Sequence, residues 1–544
     1  MTNRTLRQLT AIATVTATVT ALGLTPAFAG VDRRGGGVFV GPNTVTRPYV
    51  VPVAAGVGVT SLLTVNDAGA AGNGYELVGI PDGIGSRREG GRLVAYANHE
   101  LRSGTGIVRR HGQRGAFVSK LTIDPGTKRV VKGEDFINPG VRYWNYATGR
   151  YSDTASPAWT NADGTAAPAQ SAEFSRFCSG SLTDPGQLFN WRTSRGYSGQ
   201  IYFANEENGD ESRVFGVTTA GDAHQLPRLG LFSYENTLAA ASRSDTTLVI
   251  GNEDAADGQL WVYQGRKQRH GSPVDRAGLT NGALTVADVA NQAVSTDAQF
   301  RTAYGKNTPV PVRFNSIDWT QSGAAQNAAA LAGGLTLNRI EDGNWDPRRP
   351  DDFYFVTTVG GAAATAGIDP VTGFRTGRDG GGLWRLRYVD IDRPELGATL
   401  TLLLDGSERV GPNAGLNNPD NITIDQAGNL LIQEDPGQNV QEARIVAYRI
   451  ADGALGVVAQ FDPVRFSRDA AIANTPEFLT MDEESSGIVP ASVPFGRNTF
   501  LFDAQVHTTK HLPPGTGPGT AGEYVENGQL MLLKVTNWRS VYGT

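Results

Sequence analysis

Leu248-Val249-Ile250-Gly251-Asn252-Glu253-Asp254 opens with three large apolar residues and closes with an amide and two acids. The same design recurs five more times along the chain. Leu93-Val94-Ala95-Tyr96 runs into Asn98-His99-Glu100, and Ile201-Tyr202-Phe203 into Asn205-Glu206-Glu207-Asn208. Phe353-Tyr354-Phe355-Val356 runs into Thr357-Thr358, Leu430-Leu431-Ile432 into Gln433-Glu434-Asp435, and Phe500-Leu501-Phe502 into Asp503-Ala504-Gln505. A strand that begins with core residues and ends with oxygen donors suits a radial β-architecture. Its apolar parts build blades, and its ends bring carboxylates to one mouth of a central channel. Carboxylates so crowded repel one another unless cations hold them together. The expectation is an all-β fold, a six-bladed β-propeller with long inserted loops, carrying a metal site at the channel mouth.

The segments beyond each run fit that frame. Gly258-Gln259-Leu260-Trp261-Val262-Tyr263, Gly382-Leu383-Trp384-Arg385-Leu386, Gly528-Gln529-Leu530-Met531-Leu532 and, more weakly, Arg444-Ile445-Val446-Ala447-Tyr448 read as the next strand of each unit. Asp425-Gln426-Ala427-Gly428-Asn429 has hairpin-turn composition between Ile422–Ile424 and Leu430–Ile432. A β-sandwich of hairpins is the competing arrangement. Insertions are expected at Tyr143–Glu173, at Gln187–Gly199 with Trp191, and at Ala256–Asp318, the last with a helix-like stretch from Leu284 to Tyr304.

With 68 Gly and 28 Pro in 544 residues, the composition favours a turn-rich β-domain. A formal net charge of −6 speaks against nucleic acid, which requires a basic face. Residues 1–29 read as a secretory signal: Arg4 and Arg7, an apolar stretch from Leu9 to Leu24, then Ala27-Phe28-Ala29. Residues 30–58 read as an extended Gly/Pro-rich arm, and 59–544 as one propeller domain. The expected location is therefore the periplasm, the cell surface or the medium. No membrane span is expected after signal cleavage, and the expected state is a monomer.

Oxygen-rich segments supply the candidate ligands: Asn98-His99-Glu100, Glu206-Glu207, Glu235-Asn236, Glu253-Asp254, Glu341 and Asp420-Asn421. Calcium takes six to eight oxygens in a flexible cage, which Asp, Glu and Asn from several blades can build. Any one acid in a loop is by default a solvated turn residue. His99 reads as structural rather than ligating, and His507 and His511 as surface residues. Cys178, the single cysteine, is either a buried inert hydrophobe or a thiolate ligand. Arg339 shares a strand face with Glu341 and offers a planar fork for an anion, or else a salt bridge. Arg339 and Asn421 are the candidates for contacting substrate, with Arg339 the catalytic one.

Taken in order, Asn98-His99-Glu100, Cys178-Ser179-Gly180-Ser181-Leu182-Thr183, Asn205-Glu206-Glu207, Leu231-Phe232-Ser233-Tyr234-Glu235-Asn236, Gly251-Asn252-Glu253-Asp254, Arg339-Ile340-Glu341-Asp342-Gly343-Asn344-Trp345-Asp346-Pro347 and Asn418-Pro419-Asp420-Asn421 resemble the PhoX-type alkaline phosphatases. These are secreted bacterial six-bladed propellers with a mixed iron–calcium cluster. The resemblance implies that Cys178 is the thiolate ligand of iron. It implies that Asn98, Glu100, Glu207, Glu235 and Glu341 bind metal, and that Arg339 holds phosphate. The chain departs from the family pattern at Tyr234-Glu235, at Asn252-Glu253-Asp254, in the insertion around Trp191, in its leader and in the segment after Glu483. The function expected is a Ca2+- and Fe3+-dependent phosphatase acting on small phosphate monoesters. The competing readings are a calcium-stabilised binding module without catalysis and a calcium-dependent lactonase or esterase.

Overall fold

Each of the six apolar runs folds as a strand, and each is the second strand of a four-stranded antiparallel unit. The computed structural model describes residues 36–359, 380–406, 415–437, 442–467 and 475–543. The leader read at 1–29 lies outside these residues. A second strand is flanked by strands on both edges and by neighbouring blades on both faces, so it reads as a continuous apolar run. Arg92–His99, for example, is buried at every position after the first.

Blade 1 contains Pro81–Glu89, Arg92–His99, Phe117–Ile123 and Val130–Asp135; blade 2 contains Phe177–Leu182, Ile201–Glu206, Val214–Thr218 and Ala223–Gln225. Blade 3 contains Tyr234–Ala239, Thr246–Glu253, Leu260–Arg266 and Ala283–Val289; blade 4 contains Ile340–Trp345, Asp352–Thr357, Gly382–Tyr388 and Ala398–Asp405. Blade 5 contains Pro419–Ile424, Asn429–Glu434, Arg444–Arg449 and Ala454–Phe461. Blade 6 contains Glu483–Pro490, Thr499–Val506 and Asn527–Val535, completed by the N-terminal strand Val57–Thr64. The first strand of each unit packs against the first strands of the units before and after it, and the last returns to the first. These six inner strands line the channel.

The six units are not six separate sheets. Among the described residues the sheets of four or more strands number five, because Val310–Ile317 pairs with the outer strands of blades 3 and 4 and joins them into one nine-stranded sheet. Two unpaired outer edges are thereby covered. The arm expected as extended at 30–58 contains two short edge strands. Gly37–Val40 pairs in parallel with residues 58–61, and Val50–Pro52 pairs with residues 459–461 on the outer edge of blade 5. Alternating Val residues in this Gly/Pro-rich stretch suffice for edge pairing. The chain start thus stitches blades 5 and 6, and the expected boundary at 58/59 falls inside a strand. The helix read from Leu284 to Tyr304 is only Asp297–Tyr304, capped by Thr296. Its first part is the strand Ala283–Val289, where Leu284, Val286 and Val289 meet the core. The turn at Asp425–Asn429 forms as expected, with Gly428 at φ +85°.

Candidate metal centre

The inner strands begin Pro81-Asp82, Phe177-Cys178, Tyr234-Glu235, Ile340-Glu341, Pro419-Asp420 and Glu483-Glu484. The second residue of all six is therefore an acid or the cysteine. In each strand the pairing with the neighbour slips at or shortly after this position: between Pro81 and Ile84, Phe177 and Gly180, Tyr234 and Asn236, Ile340 and Gly343, Pro419 and Ile422, and Ser486 and Ile488. A bulge re-aims side chains and bends the strand. In five blades the slip spans the ligand position, whereas in blade 6 Glu484 still pairs in register and the slip follows Ser486; the five bulges help to aim the ring of ligand-type groups. In four blades the residue two places earlier has a positive φ: Ile80, Arg176, Arg339 and Asn418, at +49°, +49°, +55° and +50°. This left-handed turn, disfavoured for Ile and Arg though readily adopted by Asn, feeds the chain into the bulged strand.

Two triads of ligand atoms form within the ring, each with all its atoms within 4.8 Å of one another. One is Asp82, Glu100 and Cys178, and the other is Glu235, Glu341 and Asp420. Cys178 Sγ lies 3.0 Å from Glu235 Oε2 and so joins them. The ring is buried: Asp82, Glu235 and Glu341 are each 1 % exposed. Burial, reinforced by the neighbouring acids, pushes the carboxyls of Asp82, Glu235, Glu341 and Asp420 well above the usual range. Burial pushes Glu207 up to about 8, against the pull of Arg176. The Cys178 thiol is likewise raised, first by burial and then by Asp82 and Glu235. Burial thus favours the protonated forms of these groups, a preference that a bound cation would reverse.

Two arginines stand at the mouth. Arg339 lies two residues before Glu341. It donates from Nε and Nη2 to the two oxygens of Asp254 at 2.8 and 2.9 Å, and its Nη2 lies 3.2 Å from Glu341 Oε1. Arg176 lies two residues before Cys178 and pairs with Glu207 and, at 2.6 Å, with Glu100. Their side chains are 37 % and 26 % exposed, which marks the ring's open side. His507, read as a surface residue, belongs here too: Nδ1 meets Glu526 at 2.8 Å, and Nε2 lies 3.8 Å from Glu484. His99 is structural as expected, held between Gly79 O and Ser119 Oγ and stacked on Phe117. A cavity of about 470 Å³ occupies the channel along the later residues of the inner strands, with Ser179, Asn236, Asp342, Trp345 and Gly487 in its wall. Neither mouth arginine lines it.

Several sequence candidates are engaged elsewhere. Glu206 closes its strand against Arg213, with Nη2 at 2.7 Å, and also accepts from the Ser175 amide. Glu253 accepts from Trp261 Nε1 at 2.8 Å and from the Gln259 amide at 2.9 Å. Both carboxylates tie the second strand of a blade to its third, which takes them out of the ligand set. The amides act differently. Asn98 donates to Cys178 O at 2.6 Å while its oxygen accepts from Tyr202, so it supports the backbone of Cys178. Asn205 donates to Ser179 O, Asn252 to Glu341 O and Gln433 to Ser486 O. These penultimate amides of second strands secure the bulges. Asn421 donates to Ser179 Oγ, and its buried Oδ1 has no partner among the described residues. Asp254 serves Arg339.

The sequence reading missed Asp82, Arg176, Glu484 and His507. It named four of the six ring residues, Cys178, Glu235, Glu341 and Asp420, alongside acids at the ends of second strands, but not the two in blades 1 and 6. In four of the six blades the legible signal was an apolar residue or proline, then a ligand-type residue, then Ser, Asn or Gly, one strand ahead of the apolar run; Ile340-Glu341-Asp342 and Glu483-Glu484-Ser485 depart from it. Pro81-Asp82-Gly83 and Pro419-Asp420-Asn421 are near copies.

Residues 216–500, more than half of the chain, match the family described as alkaline phosphatase PhoX. No protein of curated function matches. Among solved structures, Pseudomonas fluorescens PhoX in complex with vanadate, a transition state analogue, aligns with 91 % of this chain and 98 % of its own at a TM-score of 0.58 and 14 % identity. That likeness speaks for the shared propeller fold. A luciferin-regenerating enzyme aligns at a TM-score of 0.30 and 10 % identity over 84 % of this chain and 92 % of its own.

Proposed function

Because the chain belongs to the PhoX alkaline phosphatase family, and is thus a metal-dependent phosphoric ester hydrolase, we propose that it hydrolyses phosphate monoesters at the open side of the inner-strand ring. The ligands we assign are Asp82, Glu100, Cys178, Glu207, Glu235, Glu341, Asp420 and Glu484. The donor set fits a mixed cluster: many hard carboxylate oxygens suit calcium, and one soft thiolate suits iron. Asp82 Oδ1, buried and without a partner among the described residues, is the kind of orphan a cation would satisfy. Bound cations would neutralise the phosphoryl oxygens and lower the pKa of a water.

The chain's own groups do the positioning. Arg339 presents guanidinium N–H groups to a non-bridging phosphoryl oxygen. Asp254 holds the other edge of that fork bidentately, so its direction is set before substrate arrives. Arg176, in the same relation to Cys178 two blades away, keeps the mouth attractive to anions. The amides at the bulges keep the inner strands from relaxing as the ring fills and empties. The leader at 1–29 supports export.

The observation that carries this reading is the occurrence of an acid or cysteine at the second position of every inner strand, with an arginine beside the ring. The test is p-nitrophenyl phosphate turnover after reconstitution with calcium and iron. Turnover that chelator removes supports it; a reconstituted protein inert to every phosphoester contradicts it.

A further inference from the structure

Each inner strand starts at the ring, so the connection from the first strand of a blade to its second lies at the opposite end of the propeller. In blade 2 that connection is the long insertion between Leu182 and Ile201, which folds into a small hairpin, Phe189–Asn190 against Arg195–Gly196. Trp191 stands at the hairpin tip and is 75 % exposed. A single exposed apolar side chain is ordinary. This one, however, is held in place. Phe189 meets its ring edge-on at 4.7 Å between centroids, and Gly186 lies so close that a Cβ there would stand 3.3 Å from Trp191 Cζ2.

The surroundings are fastened as firmly. Asn190 Nδ2 donates to Asp245 Oδ1 at 2.7 Å, Arg195 Nη1 to Asp245 Oδ2 at 2.8 Å, and the Gly196 amide to Gln268 O at 2.8 Å, which ties the hairpin to blade 3. The neighbouring connection of blade 3 is pinned from two sides. Buried Lys267 donates to Ser242 O at 2.7 Å and to Ser244 O at 3.1 Å. Asp392 of blade 4 accepts from Ser242 Oγ and from the amides of Arg243 and Ser244. Two cations are left over from this frame. Arg192 and Arg243 are exposed, their backbone amides are engaged by Asn190 and Asp392, and neither guanidinium has a partner among the described residues.

An open cavity of about 450 Å³ lies between the two connections. Trp191, Phe189, Arg192 and Arg243 stand in its wall, with Asn190 and one carboxylate, Asp184. An indole set in place but left uncovered offers a stacking surface for a flat ring. Two free guanidinium forks beside it offer donors to anionic oxygens. A ringless anion would leave the indole bare, and a neutral ring would leave both forks empty. The cavity volume falls in the range of small-molecule sites, about 300–1,000 Å³, and leaves room for a sugar between ring and anion.

We propose that this far-face cavity binds a nucleoside monophosphate, with its base stacked on Trp191 and its phosphate held by Arg192 and Arg243. The site uses no residue of the ring and does not rest on the catalytic reading.

The probe is an adenosine monophosphate analogue with a methylene in place of the ester oxygen, so that no ester bond is available for hydrolysis. Calorimetry measures its binding to the full-length protein, to Trp191→Ala, to the double variant Arg192→Ala with Arg243→Ala, and to Arg339→Ala. Trp191→Ala and the double variant are each expected to weaken one binding event about tenfold or more. Arg339→Ala, at the opposite mouth, is expected to leave that event unchanged. Adenosine alone and inorganic phosphate alone are expected to bind there at least about tenfold more weakly than the analogue. No binding to the unmodified protein, unaltered binding in Trp191→Ala or in the double variant, or equal binding of adenosine or phosphate alone would each overturn the proposal. Hydrogen exchange on the unmodified protein gives a second reading if a variant does not fold. The analogue should slow exchange in residues 186–196 and 241–245, and unchanged rates there would overturn the proposal. Phosphatase activity enters neither readout, so an inactive protein that binds the analogue through Trp191 would sink the catalytic reading and keep this one.

Discussion

The Cys178 thiol lies 3.0 Å from Glu235 Oε2 and within 4.8 Å of ligand atoms of Asp82 and Glu100, so one sulfur joins the two triads of the ring. A thiol buried among acids is a poor acid itself, and only a cation makes it a thiolate. Cys178→Ser keeps the size and removes the soft ligand. The expected result is loss of iron and of the visible thiolate-to-iron absorption, with calcium retained. Metal analysis beside an absorption spectrum checks this.

Arg339 is held by Asp254 on one side and Glu341 on the other. If its fork stabilises the phosphoryl charge that develops during reaction, Arg339→Ala lowers kcat/KM by ~10²–10³-fold. Arg339→Lys restores charge without the planar fork and recovers only part of the loss. Steady-state kinetics with p-nitrophenyl phosphate on both variants, at unchanged metal content, check this.

Glu206 and Glu253 separate ligands from scaffolding. Glu206→Ala leaves Arg213 buried and unpaired, which costs on the order of 3–5 kcal/mol of stability. Bound metal and turnover per folded molecule are expected to stay as in the unmodified protein. Urea unfolding combined with metal analysis checks it; a lost ion would return Glu206 to the ligand set.

His111 is buried against Phe174, and burial lowers its pKa from 6.5 to about 4. Between these values the unfolded chain binds a proton that the folded chain refuses. The stability His111 allows is therefore complete above about 6.5 and is lost as pH falls towards about 4. The loss is on the order of 3 kcal/mol. His111→Leu should flatten this stretch of the stability–pH curve, as followed by urea midpoints from pH 7 down to about pH 4.

The fold was legible because apolar runs such as Ile201–Phe203 and Leu430–Ile432 are long enough to demand burial on two faces, and their spacing repeats. The height of the site was legible as well, since a second strand ends beside the start of the first. Which residues face the channel was not, because that is set by bulges, and a bulge has no hydrophobic period. Hence Glu206 and Glu253 stood out beside Cys178, Glu235, Glu341 and Asp420, while Asp82 and Glu484 did not. Asn98 stands at the right height and turns its amide to the backbone of Cys178. The joining of blades 3 and 4 through Val310–Ile317 rests on pairing between segments far apart in the chain, which no local pattern encodes.

The central claim is that strand-opening acids and one cysteine together cage cations on which hydrolysis depends. Elemental analysis of the purified, active protein tests it most directly. The account predicts calcium together with iron in every active preparation, with turnover falling in step as both are stripped. Full phosphatase turnover in protein that carries neither metal would contradict it.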